Sequence, residues 1–102
     1  MFKWLEKKAG EQSLKNVRIN TETLILVSNK ADENIKNTGM SDEMHTKKVI
    51  SAQESLLEDM KLAIANGMSV QQVEGVVAEV KSKYDLSKGV EMAIENVFRY
   101  FK

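Results

Sequence analysis

The sequence predicts an all-α fold: a small bundle of four principal helices, with a short extra helix at the N-terminus. Three observations carry this. Apolar residues recur at three- and four-residue intervals in successive segments of the chain. No proline occurs, so none interrupts a helix interior. The stretch Leu62-Ala63-Ile64-Ala65-Asn66-Gly67-Met68-Ser69-Val70-Gln71-Gln72-Val73 reads as the end of one helix, a tight turn and the start of the next. In that junction Gly67 can take the left-handed conformation that closes a helix. Ser69 and Gln72 have the S-x-x-Q spacing of a reciprocal capping box, and Met68 is placed to staple onto Val73.

The elements follow in order. Residues 2–9 form a short amphipathic helix with Phe2, Leu5 and Ala9 on one face, and Gly10 interrupts it. The next segment carries two patterns. Val17, Ile19, Thr21, Thr23 and Ile25 alternate as in a strand, whereas Leu14, Val17, Thr21, Leu24, Ser28, Ala31 and Ile35 keep helical spacing. A strand needs a partner and no second strand is evident. A helix over about residues 21–37, beginning as early as Glu11 and ended by Thr38-Gly39, is therefore expected, with 12–20 open between helix, strand and loop. Ser41 is the expected N-cap of the following helix, with Asp42 and Glu43 favouring its positive end. Its apolar stripe is Val49, Ala52, Leu56, Met60, Ala63 and Ile64. The third principal helix carries Val70, Val73, Val77, Val80 and Tyr84. Its β-branched residues form helix less readily, so tertiary packing must hold it. Asp85 or Ser87 caps the last helix, which turns Val90, Ala93, Ile94, Val97, Phe98 and Phe101 inward.

A chain of 102 residues makes one domain, spanning 1–102, with 42% hydrophobic and 29% charged residues, as expected of a folded globular protein. Fifteen basic and fifteen acidic side chains cancel, leaving no general attraction to nucleic acid or anionic membrane. Residues 1–20 are mildly basic and residues 21–60 mildly acidic, without a block of like charge. Cysteine is absent, which excludes disulfides, thiolate zinc sites and cysteine catalysis. Charges occupy the N-terminal stretch where a signal peptide needs an apolar run, and no segment approaches the ~20 apolar residues of a membrane span. A cytoplasmic protein is expected.

No nucleophile elbow, phosphate-cradling glycine loop or HExxH motif appears. His45 is the single histidine. With Asp42 three residues before it, it forms half of a carboxylate-histidine pair, and a di-iron bundle needs two such pairs. The stretch from Asp85 lacks the glycine and glutamate that a calcium loop requires at its sixth and twelfth positions. No catalytic residue, metal or cofactor is assigned, and the chain is expected not to be an enzyme.

The expected function is a non-enzymatic protein-interaction module: an adaptor, an inhibitor or a regulatory subunit, of a size that suits a phage or plasmid accessory protein. All six aromatic residues lie near the chain ends or at the turn by Tyr84. Aromatic residues are enriched at binding hot spots, so Trp4 and Tyr100 are the expected anchors and Glu54, Glu58 and Asp59 the polar rim. The partner is another protein, and the apolar content also suggests a homodimer. The alternative is a helix-turn-helix DNA-binding regulator centred on residues 62–76. There Ala63, Gly67 and Val73 have the spacing of the motif, and Ser69, Gln71 and Gln72 would read DNA. Asn66 at an apolar position, the absence of arginine from the second helix and the repulsion of phosphate by Glu74 weigh against it.

Overall fold

The computed structural model describes residues 3–101, and among them every regular element is helical: α1 (Lys3–Thr38), α2 (Glu43–Ala65), α3 (Val70–Lys81) and α4 (Lys88–Phe101). The all-α bundle of four principal helices is the architecture the sequence predicts. The separate N-terminal helix is not observed. Instead α1 is one helix of 36 residues, continuous through Gly10 and through residues 12–20. At the ~1.5 Å rise of an α-helix it is about 54 Å long. The longest dimension of the molecule is 56 Å, so α1 alone sets its length.

Two facts explain why residues 12–25 are helix rather than strand. Ser13, Val17, Thr21, Leu24, Ile25 and Ser28 are buried, a three-to-four-residue period, while Ile19 of the alternating pattern is 60% exposed. The Thr21 hydroxyl donates to the Val17 carbonyl at 2.7 Å, the i−4 bond that lets a buried threonine satisfy itself within a helix.

Gly10 is not a helix breaker. It is buried in α1, and a Cβ there would collide with the Met68 side-chain methyl and stand 3.0 Å from the Asn66 carbonyl oxygen. The glycine lets α1 pass against the turn between α2 and α3. That closeness comes at a cost of about 1 kcal/mol in helix propensity.

Helix α2 runs antiparallel to α1, with Asn66 near Ser13 at one level and Asp59 bonded to Asn20 at the next. Its N-cap is Asp42 rather than Ser41: the Asp42 carboxylate accepts the Met44 N–H at 2.8 Å. A carboxylate gains more than a hydroxyl at the positive end of a helix. The turn after α2 matches the sequence reading. Gly67 has φ of 90°, and Ser69 and Gln72 form the complete capping box. Gly39, with φ of 74°, ends α1 as expected.

Helix α3 then returns along α1 in the same sense as α1. Met68 meets Gly10, Glu79 pairs with Arg18 at 2.8 Å, and Tyr84 lies beside Glu22. Partial burial, with that carboxylate, pushes the Tyr84 phenol above its ordinary value. Helix α4 opens at Ser87, whose hydroxyl accepts the Val90 N–H and donates to Asp32 of α1. It packs on α1 and α2, where the Gln53 amide donates to the Ala93 carbonyl at 2.9 Å. The core joins all four helices, with Leu24, Ile25, Leu56, Met60 and Ile94 among its largest fully buried side chains.

Two glycines should respond oppositely to alanine. Gly75 is a helical glycine with open space around its would-be Cβ, so Gly75→Ala should raise stability by about 0.5–1 kcal/mol. Gly10→Ala should lower it, because the Met68 side chain must move and the Asn66 carbonyl stands 3.0 Å from the new Cβ, and the same change in a Met68→Ala background should recover only part of that penalty. Thermal denaturation of the four variants checks both.

Candidate functional site

The bundle leaves an apolar groove between α2 and α4. Two geometric facts produce it. Helix α4 runs in the same direction as α2, since Ala93 meets Gln53 and Tyr100 lines the same groove as Leu57. Helix α2 buries Ala52, Leu56, Met60 and Ala63 and so turns Ile50, Glu54 and Leu57 outward, toward Val97 and Tyr100. The groove encloses about 780 Å³. Ile50 is 48% exposed and Tyr100 78% exposed, so both walls of the groove present apolar surface to solvent. Charges border it on both sides, Glu54 from α2 and Arg99 from α4.

The residues expected to form one binding surface are divided. Tyr100 and Glu54 line the groove, and Glu58 is exposed on the next turn of α2. Asp59 is turned to the inside, where it accepts a hydrogen bond from the Asn20 amide of α1. Burial holds its carboxyl above the ordinary carboxylate range, with a smaller push from the Glu58 charge, against the opposing pull of the Asn20 bond. Asp59 therefore fastens α2 to α1 and does not line the groove. Trp4 is 60% exposed but lies 16 residues before Asn20 on α1, about 24 Å along the axis from the level of Tyr100. The two aromatics do not share a surface, and the N-terminal turn does not close on α4. Trp4 stands instead under the Lys8 ammonium, 5.8 Å from its ring centroid. Phe2 lies outside the described residues.

A second, shallower cleft of about 580 Å³ separates α3 from α4, with Val77 and Ile94 among the residues lining it and Phe98 at its edge. Phe98 and Phe101 meet edge to face at 6.2 Å, so the last aromatics of α4 stack with each other while Tyr100 points to the opposite groove.

At the turn, two of the three residues considered for DNA reading are engaged within the protein. The Ser69 hydroxyl accepts the Gln72 N–H at 3.1 Å, and the Gln72 side-chain oxygen accepts the Ser69 N–H at 2.8 Å. Gln71 is exposed. Helix α3 runs back along α1, opposite in direction to α2 and with little contact to it. The Asn66 side chain, at a position usually apolar, donates to the Ser13 hydroxyl at 3.4 Å and so ties the turn to α1.

Elsewhere, Asp42 is held below the ordinary carboxylate range, first by the Met44 N–H and then by His45, whose Nδ1 lies 3.3 Å from it. Arg18 likewise holds Glu79 below that range. These are a helix cap and an interhelix pair. Among the described residues no group of three or more histidine, cysteine, aspartate or glutamate side chains is placed to hold a metal ion. None of the described helices is long and apolar enough to cross a membrane.

The groove was only half legible in advance. Tyr100 and Glu54 were marked by residue type. Ile50, Leu57 and Val97 were not, although Ile50, Leu57 and Ile64 repeat every seven residues, and that repeat was the available signal.

Asp59 gives a pH test. Its pKa is raised on folding, so its contribution to stability is full at acid pH and falls as pH rises through the folded value. Asp59→Asn keeps an acceptor for Asn20 and removes the desolvated charge. The variant should be more stable than the parent at neutral pH, and the gap should close as pH falls below the carboxylate range. Paired urea titrations across that range measure it.

No protein-family model matches the chain, and the comparisons with curated proteins and with solved structures likewise give no match.

Proposed function

We propose that the protein is a small non-enzymatic protein-interaction module that binds through the face formed by α2 and α4. One observation carries this reading: an apolar groove with the large side chains of Ile50 and Tyr100 left exposed on its walls. Exposed apolar surface rimmed by polar groups is the usual form of a protein-binding site. Tyrosine is among the residues that most often dominate such interfaces. The rim consists of Glu54 and Arg99, with Glu58 beside them. Trp4, remote from this face, is not an anchor in this proposal. The proposal includes a cytoplasmic setting.

A photo-activated cross-linking residue in place of Tyr100 should give covalent protein adducts in cells. Ile50→Asp in the same chain should abolish them with the helical circular dichroism unchanged, and Trp4→Ala should leave them intact. Equal adduct yields from the same probe at Lys15, on exposed α1 surface, or no adducts from position 100, would overturn the reading.

A further inference from the structure

We infer that the partner bound by the α2–α4 face is a second copy of this chain, with the two α2 helices antiparallel about a two-fold axis at Leu57. The inference rests on the proposed protein-binding role of that face and names its occupant. The observation behind it is the outward stripe of α2: Ile50, Glu54, Leu57, Lys61 and Ile64. These residues follow one another at intervals of four, three, four and three, which keeps them on one side of the helix, away from the buried Ala52–Leu56–Met60–Ala63 stripe. Ile50, Glu54, Lys61 and Ile64 are exposed and Leu57 is half-buried.

The stripe is self-complementary when reversed. From either end it reads apolar, charged, apolar, charged, apolar, with the two charges opposite in sign. A two-fold axis at Leu57 sets Ile50 against the partner's Ile64, Glu54 against the partner's Lys61, and Leu57 against its own copy. Glu54 lies three residues before the centre and Lys61 four after, an axial mismatch of about 1.5 Å that a lysine side chain spans. Parallel pairing would instead oppose Glu54 to Glu54 and Lys61 to Lys61, so the charges select the antiparallel arrangement. A two-fold interface requires this self-matching, because one patch serves both subunits. A different protein would impose no such symmetry on the stripe.

The area is adequate. Helix α2 has 23 residues and α4 has 14, lying side by side. With ~10 Å per helix diameter and ~1.5 Å rise per residue, they present a face of roughly 550 Å². Two such faces bury about 1,100 Å² in total, which clears the ~1,000 Å² expected of a biological interface. Tyr100 borders the same groove as Leu57, which puts it beside the axis, where the two rings cover the leucine pair.

Sedimentation equilibrium over a concentration series tests the pairing. The parent chain should dimerise. Glu54→Lys and Lys61→Glu should each weaken the dimer about tenfold or more, since one substitution alters two symmetric contacts. The double variant should restore it. The chain has no cysteine, so Leu57→Cys should be joined to its own copy by a short bis-maleimide linker, and Glu11→Cys should not. All variants should keep the parent's circular dichroism. A parent monomeric at every concentration overturns the second copy. If adducts at position 100 are then to another protein, the protein-binding reading stands, and if there are none, both fail. A dimer that the double reversal does not restore overturns the antiparallel register.

Discussion

The structure depends on the packing of a single long helix. Helix α1 spans the whole molecule, and each of the other three helices lies against it. Its buried side, from Gly10 through Ser13, Val17, Thr21, Leu24, Ile25 and Ser28, combines small or hydroxyl residues with larger apolar ones. The small residues admit close neighbours, as Gly10 does at the turn. The large ones supply the burial, worth about 1.5–3 kcal/mol for a fully buried leucine or isoleucine. An isolated helix is marginal in water, so α1 is held straight and continuous by the three helices it supports.

That arrangement determines which surfaces remain. Helix α2 presents one side to α1 and must present another outward. Helix α4 lies next to it, and the groove forms where their outer sides meet. Several polar residues position the helices, while others, Glu54 and Arg99 among them, share the groove with its apolar side chains. Asp59 and Asn20 join α2 to α1, Arg18 and Glu79 join α1 to α3, and Ser87 and Asp32 join α4 to α1. The surface of the groove is left to aliphatic side chains, a tyrosine and a few charges.

Much of the fold was legible in the residues, because capping and periodicity are local. The Ser69–Gln72 box, the Gly39 and Gly67 stops and the Ser87 cap all stand where their chemistry requires. Apart from the α2 cap, which falls on Asp42 one residue after Ser41, the errors arose where a distant contact determined the outcome. Gly10 read as an interruption because nothing nearby in sequence reveals Met68 against it. Asp59 read as a surface charge because its partner, Asn20, lies 39 positions away. Trp4 and Tyr100 share a residue class but not a surface, and only the length of an unbroken α1 separates them.

The backbones of α3 and α4 stay more than 8 Å apart among the described residues, and each depends on α1. The bundle is thus an open circle of helices rather than a closed one. Loosening α3 would uncover Val73, Val77 and Val80 without first requiring α4 to leave, and the converse holds for α4. Helix α4 is anchored on α2 as well as on α1, whereas α3 rests chiefly on α1, so α3 is the edge from which local opening starts most readily.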